Sequence, residues 1–471
     1  MSRCSLVGER AAFAIALACI ALFLLMPQAR AETLESAIVL AYQNNPTLNS
    51  QRAATRAADE NVPQALSGYR PKVSVTASGG EQSLSSISKS SGIVPGTPVA
   101  YFTQSGYNAP YGAGATITQT IFNGFQTANK TRQAEASVLA ARETLRVTEQ
   151  TVLLSAVTAY MNLLRDGAIL DLQKRNVEVL QEQLRQTRDR FKVGELTRTD
   201  AAQAAASLAA GHSQALSAQA TYMASVATYR QVIGHEPTKL SPAAPVDRLS
   251  PGKLPDSIGL GSNMNPAITM AQYNVDVAEH QVKVAEGALY PTLSVQGSFQ
   301  QNFMNVSSLN TYQSYAASVL GQLTIPLYQG GAEYSLIRQA KDTLGQQRIN
   351  LDVARDQVRQ TVVQTWGQLE AAKVNIEATI SQVEAAEIAL NGIREEARVG
   401  QRTTFDVLTA LQNLVNARVA LVTAQHDRVV ASYTLLAAVG RLSPQVLGLR
   451  VPVYDAKVHY EQVRDSWAGV R

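Results

Sequence analysis

Apolar and polar positions along this chain follow two rhythms. From Thr127 to Lys192, small and apolar residues step three and four apart through Ala134, Val138, Ala141, Leu145, Thr148 and Val152. They resume at Val177, Leu180, Leu184, Thr187 and Phe191. That is coiled-coil spacing. The stretch holds no proline and one interior glycine, Gly167. As a single helix it would run ~100 Å. Residues 199–233, 333–399 and 403–439 read the same way, and alanine is dense in the first of these. Helices this long bury a stripe only against other long helices, which predicts four arms packed as paired coiled coils.

The second rhythm has a period of two. Val73, Val75 and Ala77 alternate with Lys72, Ser74, Thr76 and Ser78, and Ala113, Ala115, Ile117 and Ile121 alternate on the return, predicting a hairpin over 71–121. The Ser/Gly/Pro-rich stretch from Glu81 to Pro110 reads as the loop between them. A second hairpin is predicted over 291–327. There Leu293, Val295, Gly297 and Phe299 oppose Thr292, Ser294, Gln296 and Ser298, and a return strand carries Val319, Leu323, Ile325 and Leu327 after a loop of about 14 residues. Strict alternation sets one face in an apolar phase and the other in a polar one. Strands of this kind suit a membrane barrel. Four of them cannot close a cylinder, and lipid excludes an open sheet edge, so several chains would have to share one barrel. The competing reading is a soluble sandwich with its apolar face on a core.

Both rhythms occur twice. Lys192-Val193-Gly194-Glu195-Leu196-Thr197-Arg198-Thr199-Asp200 and Arg398-Val399-Gly400-Gln401-Arg402-Thr403-Thr404-Phe405-Asp406 share the form basic-Val-Gly, two residues, Thr-x-x-Asp, and lie 206 residues apart. The same offset relates Phe122-Asn123-Gly124 to Tyr328-Gln329-Gly330. Upstream it becomes 220, pairing Asn45-Pro46 with Asn265-Pro266. A period this long marks a duplicated half-molecule rather than a solenoid. The first repeat spans 32–240, with a helical stretch from Leu34 to Leu66, the hairpin 71–121 and long helices 127–192 and 199–233. A connector over 241–263, rich in Pro, Gly and Ser, is expected to carry little regular structure. The second repeat spans 264–440, with a helix, the hairpin 291–327 and long helices 333–399 and 403–439. The C-terminal segment 441–471 is expected, with the connector, to form an equatorial belt on the helical body. In each Val-Gly tip the glycine can take a left-handed cap conformation and Thr-x-x-Asp can form a capping box. Asp200 and Asp406 could therefore be helix caps and nothing more.

Composition narrows the compartment. Arg3 and Arg10 precede an apolar run from Ala11 to Met26, and Ala29-Arg30-Ala31 offers a small-residue cleavage site, so residues 1–31 read as a secretory signal peptide. Nothing later is apolar over a run long enough to span a bilayer. Cys4 and Cys19, the only cysteines, fall inside that leader, so no disulfide is expected. Without residues 1–31 the chain has 38 basic and 36 acidic residues, a net charge of +2 with no basic block. Nucleic-acid binding has no electrostatic footing. His212, His235, His280, His426 and His459 lack metal-ligand spacing, and no nucleophile elbow or phosphate-cradling loop is present. An enzyme is not expected, nor any cofactor or metal.

Leader, duplication and twin tips together resemble the TolC family of outer-membrane efflux proteins, over nearly all of the chain from Leu34 to about Leu449. The most specific stretches are Phe191 to Asp200, Ile325-Pro326-Leu327-Tyr328-Gln329-Gly330-Gly331, and Val399 to Leu408. The resemblance implies an α+β membrane protein. In it, four strands per chain contribute to a trimeric 12-stranded outer-membrane β-barrel that continues into a long α-helical coiled-coil barrel in the periplasm. It implies a homotrimer in outer-membrane lipid that docks with a periplasmic adaptor and an inner-membrane ABC or proton-driven pump. The duct would serve efflux of small molecules or type I protein secretion.

It also gives the tips roles. Asp406 matches an acid lining the family's aperture, where three copies around one axis would form a cation-selecting ring and raise one another's pKa. Asp200 and Arg402, with Thr199 beside them, match residues that tie the closed state. Val193, Gly194, Val399 and Gly400 match the tips that meet the adaptor. Two positions depart from the pattern: Thr409 stands where some members carry a second aperture acid, and Ala397 where they have a supporting tyrosine. Both predict a less acidic, less tightly tied constriction. A stand-alone porin and a secreted coiled-coil structural protein are the rival functions.

Overall fold

The computed structural model describes residues 32–90, 100–306 and 309–469, so the expected leader over 1–31 lies outside the described residues. The chain forms two compact units, each drawn from both repeats. One comprises Met1–Gln51, Leu145–Pro266 and Asp356–Tyr454; the other Arg52–Thr144, Ala267–Arg355 and Asp455–Arg471.

The second unit contains the sheet. Its strands are β1 (Lys72–Gly79), β2 (Gln82–Ser90), β3 (Ala100–Asn108), β4 (Tyr111–Asn123), β5 (Thr292–Val306) and β6 (Leu309–Thr324). The order is β1-β4-β5-β3-β2, with β6 also on β5, and every pairing is antiparallel. Val75 pairs with Ala115, Thr116 with Ser298, and Ser298 with Ser318, so the period-two pattern sorts cleanly. Val73, Val75, Ile117, Val295, Phe299, Val319 and Leu323 share one face, while Ser74, Thr116, Ser298 and Ser318 share the other. The apolar face is bare: Val75 is 76% exposed and Val319 83%.

Two expectations about the hairpins are corrected. Glu81 to Pro110 is not a loop. Most of it is the β2–β3 pair, because its serines and threonines alternate with Leu84, Ile87, Tyr101 and Tyr107 and can ladder. Residues 91–99 lie outside the described residues. In the second hairpin β5 runs to Val306 and β6 starts at Leu309, so the expected loop is almost wholly strand. Where β4 gives way to the next helix, Gly124 sits at φ +64°, and a Cβ there would fall 2.2 Å from the Gly287 carbonyl oxygen. Only glycine satisfies both constraints.

The helices are α1 (Leu34–Asn44), α2 (Pro46–Asp59), α3 (Asn61–Leu66), α4 (Gln126–Lys192), α5 (Arg198–Ile233), α6 (Leu254–Met264), α7 (Pro266–Gly287), α8 (Ala332–Arg398), α9 (Thr404–Ala438) and α10 (Ala456–Val463). The expected helical stretch from Leu34 to Leu66 is broken twice, first at Asn45-Pro46. The Asn45 side chain accepts from the Thr47 and Leu48 amides at 2.9 and 3.3 Å and donates to the Val232 carbonyl at 2.9 Å. It caps the start of α2 and ties down the end of α5 together. Its repeat partner Asn265 donates to the Ala438 carbonyl at the end of α9, 2.8 Å away. The connector 241–263 is more regular than expected: Pro255 sits in the first turn of α6, and Gly261 packs against Val358 and Val362.

The first unit has its main core where α1, α4, α5 and α9 meet, around Ile38, Tyr42, Leu153, Tyr160, Tyr229 and Leu436. Leu240 at the end of the first repeat, connector residues Val246 and Leu249, and tail residues Leu447, Leu449 and Tyr454 pack on that same core. Contrary to the sequence expectation, α9 is long and apolar enough, by length and composition, to cross a membrane. Its Leu408, Leu411 and Leu414 are instead buried with Leu180, Leu184 and Leu390 in a second cluster close to the tips.

Candidate functional site at the helical tips

Both tips are helix-stop, helix-start devices, built alike. At the end of α4, Gly194 takes φ +84°, its amide donates to the Phe191 carbonyl at 3.0 Å and the Glu195 amide to the Arg190 carbonyl at 3.0 Å. At the end of α8, Gly400 takes φ +82°, with Gly400 donating to Ala397 at 3.3 Å and Gln401 to Glu396 at 2.9 Å. This paired pattern satisfies the last orphan carbonyls and requires a left-handed residue where glycine stands. Val193 and Val399, one residue earlier, are each 72% exposed.

The restart is a capping box in both repeats. The Asp200 amide donates to Thr197 Oγ1 while Asp200 Oδ2 accepts from the Thr197 amide at 3.0 Å and its hydroxyl at 2.6 Å. Asp406 does the same with Thr403, both contacts at 2.9 Å. The caps set the electrostatics. The Thr197 hydroxyl, then its N–H, hold the Asp200 carboxyl below its ordinary range. The Thr403 N–H, then its hydroxyl, do so for Asp406, and the charge of Arg402 adds to it. Within one chain the shift is thus opposite to the upward one expected of a ring of like charges.

Sequence reasoning missed the cross-turn ion pairs. Arg402 Nε donates to Glu396 Oε2 at 2.9 Å, which raises the arginine further above its already high value. In the first tip Arg190 Nε donates to Glu195 Oε2, also at 2.9 Å. Glu396 occupies the repeat position of Arg190, so the two pairs have opposite polarity. Opposite charges five or six residues apart across Val-Gly were the available signal.

Of the sequence-predicted residues, Arg402, Asp406 and Thr409 line one groove of about 490 Å³ beside α8, floored by Ala386, Ala389 and Ala410. The Thr409 hydroxyl donates to the Phe405 carbonyl at 2.9 Å. Asp200 and Thr199 belong to the other tip and do not line this groove. Ala397 lines a second cleft, of about 550 Å³, with Arg190, Arg394, Glu395, Arg398 and Val407. Among the described residues no group of His, Cys, Asp and Glu could hold a metal ion.

The sequence model of the family described as outer membrane efflux protein matches residues 37–235 and 262–441. The chain is 41% identical over 443 residues to outer membrane efflux protein BepC of Brucella suis biovar 1 (strain 1330), covering 94% of this chain and 93% of that one. It is 26% identical over 432 residues to outer membrane protein TolC of Escherichia coli (strain K12), covering 89% and 84%. Among solved structures, the outer membrane protein VceC of Vibrio cholerae superposes with a TM-score of 0.69 at 20% identity, covering 86% of this chain and 96% of that one.

Proposed function

Because the chain belongs to the outer membrane efflux protein family, we propose that three copies form one exit duct that opens at its helical tips. The observation that carries this reading is the unfinished sheet. Among the described strands β1 and β6 keep an unpaired outer edge, and one whole face of Val, Ile, Leu and Phe is uncovered. Lipid tolerates the face and forbids the edges. Three copies, each giving β1, β4, β5 and β6, join edge to edge into a twelve-stranded barrel with Ser, Thr and Gln lining the lumen. The duct carries small molecules out of the cell, or proteins in type I secretion. Energy comes from an inner-membrane ABC or proton-driven pump reached through a periplasmic adaptor.

The tips are the moving end. Asp406 forms the aperture ring with Thr409 one turn deeper, and Asp200, Thr199 and Arg402 tie neighbouring coils shut. Val193, Gly194, Val399 and Gly400 present the adaptor with an exposed apolar residue beside a bare backbone, as their exposure supports. Single-channel conductance in a planar bilayer tests this, for the native protein and for Asp406→Ala. A small, cation-selective, divalent-sensitive conductance that loses its sensitivity in the variant is the expected result. Identical behaviour of the two would return Asp406 to a helix cap, and no conductance at all would remove the duct.

A further inference from the structure

The β2–β3 ribbon outruns the sheet it belongs to. Beyond Asn108 paired with Val306, no described residue of β5 or β6 accompanies it, so eight rungs from Ser83–Tyr107 to Ser90–Ala100 stand as a two-stranded ribbon. At 3.4 Å per residue it projects roughly 27 Å past the rung that Val306 joins. Two strands alone are marginally stable in water, and open edges call for cover.

Its faces can be assigned from register. Gly79 pairs with Tyr111 and Gln82 with Asn108, so β1 passes into β2 and β3 into β4 without a slip, and residue parity is conserved across Gly80 and Pro110. The side holding Val73, Val75, Ala113 and Ile117 therefore continues into Tyr107, Ile87 and Tyr101. At the boundary the Tyr111 ring stacks on Phe303, centroids 4.8 Å apart. In the barrel reading that pair is the aromatic girdle at the outer surface of the membrane, and this inference rests on that reading.

Past the girdle the outward face keeps its rings but changes its chemistry. Tyr101 and Tyr107 are 67% and 77% exposed, and Ser83, Ser85, Thr103 and Ser105 separate them where aliphatics stood lower down. From Gln82 to Asn108 the sequence has no acid and one charge, Lys89, directly across from Tyr101. Amphipathic rings interleaved with hydroxyls suit neither hydrocarbon nor bulk water. They suit sugar rings, and a lone cation without acids suits sugars that carry phosphate. We propose that the outward face of the β2–β3 ribbon docks on the phosphorylated core sugars of the glycolipid in the outer leaflet, through Tyr101, Tyr107 and Lys89.

Lys89 also supplies the assay, because it is the one tryptic site in the ribbon. The full-length protein is placed in nanodiscs of phosphatidylglycerol, of lipid A, or of lipopolysaccharide with its core sugars. Cleavage after Lys89 is then timed by mass spectrometry, with conductance recorded on the same preparation. Cleavage is expected to slow with core-bearing lipopolysaccharide alone. Tyr101→Ala with Tyr107→Ala should weaken that protection about tenfold, the order expected when two aromatic contacts are lost. Equal cleavage in all three lipids overturns the proposal, and so does equal protection by lipid A, which would assign the ribbon to the acylated glucosamine phosphates and not to the core sugars. A protein that conducts but leaves Lys89 unprotected refutes this inference alone, whereas one that does not conduct refutes the barrel reading beneath it.

Discussion

Replacing Asn45 by alanine strips three hydrogen bonds from one buried side chain. Asn45 is 7% exposed, its Oδ1 caps α2 through the Thr47 and Leu48 amides, and its Nδ2 reaches the Val232 carbonyl at the end of α5. Loss of the cap costs about 1 kcal/mol. Leaving a part-buried carbonyl with its partner removed adds about 1–2 kcal/mol. The sum, about 2–3 kcal/mol, corresponds to a fall in thermal midpoint of roughly 2–5 °C for a body of this size, at about 2.1 cal/mol/K per residue. Asn45→Asp separates the two parts. Its carboxylate still accepts from Thr47 and Leu48, but it faces the Val232 oxygen with no donor, so it should recover the cap and not the tie. Circular dichroism at 222 nm on detergent-purified protein, heated at one fixed rate, measures all three. A midpoint within about 1 °C of native for Asn45→Ala would refute the reasoning, and so would full recovery by Asn45→Asp.

Three further outcomes are expected. The folded pKa of Asp406 is lowered, so its cap is fully present above the ordinary aspartate value and lost as pH falls through the lowered one. Divalent sensitivity of the conductance should therefore persist down into the ordinary aspartate range, and its loss near neutral pH would mean that ring repulsion outweighs the caps. Thr409→Asp adds an acid one turn after Asp406, and block by hexaamminecobalt(III) should deepen relative to native; equal block would place Thr409 off the aperture. Val399→Asp puts a charge on a surface that is 72% exposed and packs against little, so thermal stability should hold while drug resistance in a deletion strain falls. Unchanged resistance would remove Val399 from the adaptor surface.

The long helices were legible because a stripe stepping three and four needs no knowledge of its partner. Thr127 to Lys192 as read differs from Gln126–Lys192 as found by one residue. The tips were legible for a related reason, since left-handed glycine and the Thr-x-x-Asp box are local. What escaped was composition that misleads. Ser83, Ser85 and Ser88 look like loop residues, yet they ladder against Tyr107, Ser105 and Phe102, because a strand held by its backbone rungs and exposed on its faces needs no aliphatic run. The serine, glycine and proline of the connector hid α6 in the same way, as it is held by Gly261 against Val358 and Val362 from the second repeat. The ion pairs Arg190–Glu195 and Arg402–Glu396 escaped because they cross a turn, where neither helical nor strand periodicity applies.

The claim that everything else depends on is that chains join through the free edges of β1 and β6. The only cysteines, Cys4 and Cys19, lie in the expected leader, so the barrel offers a clean background for cross-linking. Ser74→Cys on β1 would be combined in turn with cysteine at Ser318, Leu320 and Gln322 on β6, all on the polar face, and oxidised in intact outer membranes. The account predicts that at least one register gives a ladder on a non-reducing gel that stops at three chains. A ladder that never forms in any register, stops at two, or runs past three would contradict it.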